Sequence, residues 1–334
     1  MKVLANRYCL VAFLVLGLLL PAGTAAAADA EFTLRIGSVA PKGTPWYALL
    51  KRAKKRIQTE SNGRIKVKLY VGGKLGSENS IVRRCRKGQL GGMAVSNGAV
   101  GSAVRELYAT ELPYLFDNFK QAEQALDAAK PLVRELLAEQ GFVFYMWGEN
   151  GYRHFASQKR FFTSPSDLKG HKMRAQPAMP HVEMYKALGA SAQTLAVSEV
   201  TTSLSNGVVT GYDNTLIYAF ATQWHNEVKY VTLSSHIYQP AVVTWCKKWF
   251  DQLPADLQKV VMRAPAGEER KGRLAVRALN NILKKKYVEQ GVEVKELSSG
   301  QKAAFKRATA KVEKKFAGST SARGKKLLSI HKSK

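Results

Sequence analysis

Two arginines and an asparagine lie where predicted strands end, and together they could hold a carboxylate. Arg153 lies in NGYRHF, Arg174 in HKMRAQ, and Asn214 in TGYDN, where Tyr212 precedes it by two residues. Open α/β sheets bind ligands at the ends of their strands. A guanidinium donates two parallel hydrogen bonds to a carboxylate, and an amide adds a neutral donor. On spacing alone, the alternative that both arginines are ordinary surface residues is the stronger one.

No catalytic or metal-binding motif accompanies these residues. The chain has no G-x-S-x-G, H-E-x-x-H or C-x-x-C sequence. No two histidines are four residues apart, and His171 and His181 are ten apart, which does not suit a metal site. The GGKLG stretch lacks the spacing and the Lys-Ser/Thr pair of a phosphate-binding loop. We expect a binding protein without metal or cofactor, since catalysis would need residues that meet from distant parts of the chain.

The N-terminal residues 1–28 have the three-part pattern of a secretory signal peptide. Two basic residues precede the apolar run Cys9–Leu20, and small residues with A-x-A spacing then predict cleavage after Ala28 or Ala30. An apolar run of about 12 residues is shorter than the roughly 20 that cross a bilayer. We therefore expect an exported, soluble protein without stable membrane insertion.

The chain is strongly basic, with a formal net charge of +27, or +25 without Lys2 and Arg7 of the signal peptide. Such a field attracts nucleic acids, anionic lipids and anionic solutes. The charge is spread along the whole chain, and exported proteins rarely meet nucleic acid, so we expect no nucleic-acid partner. The basic residues 318–334 have the composition of a loose tail, which we expect to be disordered.

The spacing of apolar residues predicts an α/β protein. Phe32, Leu34 and Ile36 alternate with polar residues, as in a half-buried strand, and a helix with one apolar face follows. Strands and helices then alternate through two units, which predicts two lobes, each a mostly parallel sheet flanked by helices. The helix after Pro265 is long enough to bridge both lobes.

The order of these elements predicts that the chain leaves the first lobe, builds the second and returns. We assign residues 29–151 and 240–278 to lobe I, and residues 152–239 and 279–317 to lobe II. A chain with this course leaves a cleft between two lobes that few strands connect.

Two cysteines follow the signal peptide, Cys85 and Cys246. An oxidising compartment allows them to form a disulfide bond. The alternative is that both are small buried apolar residues. Their distance in the sequence leaves both readings open.

Five stretches of the sequence resemble the DctP-type solute receptors of tripartite ATP-independent periplasmic (TRAP) transporters. They cover nearly the whole mature chain in order: YVGGKLGSE, ELPYLFDNFKQAEQAL, SPSDLKGHKMRAQ, ALGASAQTLAVSEVTTSLSNGVVTGYDN and LPADLQKVV. The resemblance implies a two-lobed periplasmic-binding-protein-like fold that closes on a small organic acid. It also implies docking on TRAP membrane subunits and uptake driven by an ion gradient, and we expect a monomeric receptor.

The resemblance also implies roles for individual residues. Arg174 matches the carboxylate-binding arginine of a DLKGxKxR motif, Arg153 matches a second arginine upstream, and Asn214 matches an asparagine that contacts the same carboxylate. Gln176, where valine is usual, predicts a more polar pocket beside Arg174. Further ligand contacts are predicted from position, although each aromatic residue among them could instead pack in a core: Tyr212, Trp46, Glu78, Asn97 and Tyr238.

Two other functions stay open at this point. A receptor of the same fold could feed a sensor protein instead of a transporter. A basic envelope protein could instead use its charge to bind anionic polymers, and its binding would then weaken steeply with salt.

Overall fold

The computed structural model describes residues 29–334, which form one mixed sheet with helices on both faces. The sheet order is β2-β1-β3-β8-β4-β7-β5-β6, and β9 pairs with β8. The predicted signal peptide lies outside the described residues. The strands are β1 Phe32–Ser38, β2 Ile65–Tyr70, β3 Gly92–Ser96, β4 Phe142–Ser157, β5 Lys172–Ala175, β6 Ser191–Thr194, β7 Gly211–Asn214, β8 Tyr230–Cys246 and β9 Glu293–Glu296.

The helices vary from one turn to six turns in length. Thr44 caps the first of them, and Pro45 occupies its first turn, where a missing N–H costs nothing. Short 3-10 helices occupy Arg105–Glu111, Pro165–Leu168, Val197–Glu199 and Trp224–Glu227. The α-helices are α1 Pro45–Glu60, α2 Glu78–Arg86, α3 Asn97–Val100, α4 Phe119–Glu139, α5 Met179–Ala187, α6 Val200–Ser205, α7 Leu216–Ala221, α8 Lys247–Phe250, α9 Ala255–Met262, α10 Glu268–Glu289, α11 Ser299–Ser319 and α12 Ala322–Lys332.

Each lobe has a parallel core of three strands. In the first lobe β1 pairs in parallel with β2 and β3, and the predicted alternation of β1 buries Leu34 and Ile36 completely. In the second lobe β5 pairs in parallel with β6 and β7. The prediction of a two-lobed α/β fold is confirmed.

Two long strands run through both lobes and connect them. β4 and β8 are antiparallel over nearly their whole length, and their register shifts between Phe144 and Met146, Glu149 and Gly151, and Arg153 and Phe155. At the middle shift Gly151 adopts a φ of +97°, a left-handed conformation that favours glycine. The regular β4–β8 ladder is therefore interrupted where the two strands pass between the lobes.

Helix α10 bridges the two lobes, as its length predicts. Near its start, Glu268 accepts hydrogen bonds from Arg52 of α1 in the first lobe. Near its end, the Tyr287 hydroxyl donates to the Leu216 carbonyl in the second lobe at 3.0 Å. The lobe boundaries assigned from the sequence stay predictions.

The structure contains a disulfide bond between the two cysteines, which is one of the two alternatives that the sequence leaves open. Cys85 of α2 and Cys246 at the end of β8 are bonded to each other across a sequence separation of 161 residues. Both are nearly fully buried in the core of the first lobe. The disulfide bond therefore links β8, by which the chain returns to the first lobe, to α2 of the same lobe.

The prediction of a disordered tail at residues 318–334 is wrong, because α12 covers most of it. Ser321 caps the helix, and Leu327, Leu328 and His331 share one face that is buried against the first lobe. Arg323 pairs with Glu139 at 2.5 Å. The high charge of the segment hid this apolar stripe, and the lysines occupy the solvent face.

We expect the attachment of α12 to weaken as pH falls below 6.5. Burial lowers the pKa of His331 from 6.5 to about 4. His331 of the detached helix therefore binds a proton as pH falls through 6.5, whereas His331 of the docked helix binds one only near pH 4. Stability lost this way is about 1.4 kcal/mol per pH unit, or about 2 kcal/mol between pH 6.5 and 5.

Hydrogen exchange of the α12 amides at pH 7 and 5, corrected for intrinsic rates, measures this change. The variant His331→Leu should keep its protection at both pH values, because leucine suits the apolar surroundings and does not titrate. Equal loss of protection in both proteins would contradict the assignment to His331.

Candidate ligand-binding site

A cavity of about 100 Å³ lies between the lobes, where the strands of the second lobe end. Arg174 follows from β5, Asn214 from β7 and Arg153 from the middle of β4, so the topology brings the three predicted residues to one wall. α1, the start of α2, the ends of β1 and β3 and the middle of β8 form the opposite wall. The site is therefore built from segments that are far apart in the sequence.

Arg174 is a buried cation without an acidic partner among residues 29–334. Its side chain is 2% exposed, and its Nε and Nη2 donate to the Leu195 carbonyl at 3.2 and 2.9 Å. The guanidinium lies over the Trp224 ring at 5.3 Å. Burial and then the nearby charge of Arg153 lower the pKa of Arg174 to about 10. An anion in the cavity would relieve this penalty.

Arg153 is also buried, but the protein already neutralises its charge. Its Nε pairs with Asp213 Oδ2 at 2.5 Å, and its Nη1 donates to Asn214 Oδ1 at 3.1 Å and to Gln239 Oε1 at 2.9 Å. Arg153 therefore orients its neighbours more than it offers a free charge to a ligand.

Asn214 has one polar atom committed and one available. Its Oδ1 accepts from Arg153 Nη1 and from the Thr215 N–H at 2.8 Å. With Oδ1 held by two donors, Nδ2 is the group that can donate to a ligand. Arg174 and Asn214 thus present donors only, which suits an acceptor such as a carboxylate.

Asp213 is the centre of a buried hydrogen-bond network behind this wall. Tyr185 donates to its Oδ1 at 2.8 Å, and His236 Nε2 lies 3.3 Å from its Oδ2. Burial alone would raise the pKa of Asp213, but the charge of Arg153 and the nearby His181 and His236 side chains outweigh it and hold the pKa well below its usual value. Asp213 is therefore charged at neutral pH and fixes Arg153 in place.

Glu78 lies on the opposite wall, at the start of α2. Its two oxygens accept from the Ser96 N–H at 2.8 Å and from Ser96 Oγ at 2.6 Å. Burial raises the pKa of this carboxyl, although the two hydrogen bonds act against it. Glu78 is therefore protonated more readily than an exposed glutamate when an anion approaches.

Side chains connect the lobes directly across the cavity. Gln176 Nε2 donates to Ser96 Oγ at 2.9 Å, and the Tyr218 hydroxyl donates to the Val39 carbonyl at 3.4 Å. Beside the cavity, His181 Nε2 lies 2.7 Å from Glu111 Oε2. The structure is therefore a closed arrangement of the two lobes.

Three of the eight predicted site residues do not line the cavity. Tyr212 lies two residues deeper in β7 than Asn214, and its ring packs 5.3 Å from Trp224 in the core. Asn97 is fully buried and donates to Thr110 Oγ1 at 3.2 Å. Tyr238 packs in the first-lobe core and donates to Glu149 Oε2 at 2.8 Å. Core packing, the alternative stated for the aromatic residues, is what the structure shows for both tyrosines.

The other five predicted residues line the cavity: Arg174, Asn214, Arg153, Trp46 and Glu78. Sequence reasoning missed Gln239, which accepts from Arg153 and donates to Gln176 Oε1 at 2.8 Å and to Glu111 Oε2 at 3.1 Å. It also missed Tyr218 on α7. The available signal for Gln239 was a glutamine that directly precedes Pro240 and the apolar run AVV within a strand.

Nothing in the described part of the chain resembles a metal site, since no three His, Cys, Asp or Glu residues form a suitable group. The same residues contain no helix that is long and apolar enough to cross a membrane.

Comparisons with known proteins agree with this geometry. The sequence model of bacterial extracellular solute-binding protein family 7, DctP, matches residues 36–319. A solute-binding protein of Verminephrobacter eiseniae is 32% identical over 242 residues, which are 72% of each chain.

Solved structures show the same fold. The sugar acid binding protein DctPAm of Advenella mimigardefordensis, in complex with galactonate, is 27% identical with a TM-score of 0.85, over 91% of this chain and 99% of that one. A TRAP periplasmic solute binding protein of Xanthobacter autotrophicus with bound β-D-galacturonate is 25% identical with a TM-score of 0.84, over 90% and 99% of the two chains. The chain belongs to the DctP family of bacterial extracellular solute-binding proteins, family 7, the solute receptors of TRAP transporters.

Proposed function

We propose that this protein is a periplasmic receptor that binds a carboxylate-bearing solute between its lobes and delivers it to the membrane subunits of a TRAP transporter. The observation that carries the proposal is Arg174, a buried guanidinium in the cavity without an acidic partner among the described residues. Burial of a cation is costly unless an anion compensates it. A ligand carboxylate supplies that anion, and Asn214 Nδ2 adds a neutral donor.

The two lobes give the binding site its mechanism. Closure takes the ion pair out of water, and its attraction strengthens as the local dielectric falls. The direct bonds across the cavity, such as Gln176 to Ser96, then stabilise the closed form. A closed receptor differs in shape from an open one, which gives a membrane partner a means to recognise the loaded state.

Thermal unfolding in the presence of carboxylic acids tests the binding part of the proposal. Each acid of a panel of monocarboxylates, dicarboxylates and sugar acids is compared with its own primary amide, which keeps the shape and removes the charge. A ligand at one hundred times its Kd should add about 2.7 kcal/mol to the free energy of unfolding. The proposal would be contradicted if an amide stabilised the protein as strongly as its acid does. It would also be contradicted if none of the acids stabilised the protein.

Reconstitution tests the delivery part. Proteoliposomes with the TRAP membrane subunits should accumulate the acid only when this receptor and an ion gradient are both present. If uptake continues without the receptor, the receptor delivers its ligand to another protein.

A further inference from the structure

The cavity has free hydrogen-bond donors for one anionic group. Arg174 uses two of its five N–H groups on the Leu195 carbonyl, which leaves both N–H groups of Nη1 and one of Nη2 for a ligand, and Asn214 Nδ2 is also available. The other arginine of the lining, Arg153, is paired with Asp213. On the opposite wall the described ionisable residue is Glu78, which offers no positive charge to a second carboxylate. These charges suit a monocarboxylate.

Polar side chains of the first-lobe wall already have partners in the protein. Ser38 Oγ accepts from the Ala40 N–H, and Ser77 Oγ accepts from the Ser80 N–H. Asn79 Nδ2 donates to the Pro177 carbonyl, and Glu78 and Ser96 bind each other. The Ser38 and Ser77 O–H groups and Asn79 Oδ1 remain for a ligand. A ligand with many hydroxyl groups would bury further hydroxyls against the apolar part of the wall, which is unfavourable.

Apolar side chains form most of the remaining wall. They come from the end of β1, from the buried face of α1, from β8 and from the segment that follows β6, so they surround the space opposite Arg174. Six of these apolar lining residues are Val39, Trp46, Leu49, Leu50, Val197 and Val243. Contacts of this kind favour an alkyl or aryl group over a polyol.

The volume of the cavity restricts the size of that group. The closed cavity measures about 100 Å³. A dry apolar cavity of about 150 Å³ accommodates benzene. The cavity therefore suits a compact acid, and because it stays partly open to solvent, part of the ligand can extend beyond the enclosed volume.

We propose that the ligand is a compact monocarboxylate with an apolar body, which rests on the receptor function proposed above. The carboxylate binds Arg174 and Asn214, and the body packs on Trp46, Leu49 and Val197. Similar proteins of known structure hold galactonate and galacturonate, which carry several hydroxyls. The proposal for this chain differs in the class of solute because apolar side chains form most of the wall around its cavity.

Calorimetric titration of the mature protein with three acids tests the inference: 4-methylvalerate, succinate and galacturonate. We expect 4-methylvalerate to bind at least about tenfold more tightly than the other two. Succinate or galacturonate binding as tightly or more tightly would overturn the inference and leave the carboxylate-receptor function standing. No binding by these acids or by any other carboxylate would overturn both.

Isosteric valine-to-threonine variants locate the apolar body. Val39→Thr on the first lobe and Val197→Thr on the second each add a hydroxyl without a change in volume, and we expect each to weaken 4-methylvalerate binding about fivefold to tenfold. Val208→Thr is the matched control, because Val208 is 49% exposed and does not line the cavity, and its affinity should equal that of the unchanged protein. Unchanged affinity in both cavity variants, with unchanged folding by circular dichroism, would overturn the assignment.

Discussion

Replacing Arg174 by alanine should reduce carboxylate affinity at least about one-hundredfold, or about 3 kcal/mol, without loss of the fold. The guanidinium is the one cation of the cavity that the described chain leaves without an acidic partner, and a charged hydrogen-bonded pair in a closed site contributes this much or more. Lysine at this position keeps the charge but not the fork, so we expect Arg174→Lys to lose about tenfold or more.

Loss of the Arg174 charge should, in contrast, leave the stability of the ligand-free protein unchanged or raise it. Burial and Arg153 lower the pKa of Arg174 to about 10, which means that the folded state disfavours the charged form. An uncharged residue of similar length removes that penalty, so Arg174→Met should unfold at the same or a higher temperature than the unchanged protein. Its ligand-induced stabilisation should be absent.

Titration calorimetry and thermal unfolding on the same samples separate the two effects. Arg160→Ala is the matched control, since Arg160 is an exposed arginine that does not line the cavity. It should keep the affinity of the unchanged protein. If Arg174→Ala binds the acid as tightly as the control, the anchor assignment is wrong.

The wall that holds the carboxylate could be predicted from the sequence because local patterns determine it. Short apolar runs predict strands, parallel strands end at one edge, and Arg174 and Asn214 each stand at such an end. The resemblance to DctP-type receptors adds the two residues' roles. Local patterns of this kind depend on neighbours in the chain and not on the final packing.

The rest depends on which residues meet across the fold. The pairing of Arg153 with Asp213 joins residues 60 positions apart, and nothing in either stretch specifies the partner. Tyr212 and Tyr238 illustrate the same limit, since an aromatic residue near a strand end serves a core as well as a pocket. The opposite error affects α12. Its high lysine content predicts disorder, but the helix has a buried apolar face that packs on the first-lobe core.

Replacing Asp213 by asparagine should lower the free energy of unfolding by about 3–5 kcal/mol. The change leaves Arg153 as a buried charge without its partner, and removal of one member of a buried pair costs about this much. The pKa of Asp213 lies well below its usual value, so its contribution is present above the unfolded pKa near 3.8 and is lost only as pH falls through the lower folded value. The deficit of the variant should therefore be constant between pH 5 and 8.

A double variant distinguishes the lost ion pair from a general packing defect. Asp213→Asn with Arg153→Gln removes both charges, and it should recover part of the stability that Asp213→Asn alone loses. Neither variant should bind the acid with full affinity, because the double variant lacks the Arg153 bond to Asn214 Oδ1 and the single variant lacks the Asp213 carboxylate that holds Arg153 in place. Chemical denaturation supplies the stabilities and calorimetry the affinities. Additive losses in the double variant would show that the two residues do not act as a pair, and the network behind the ligand wall would then not be what positions Asn214.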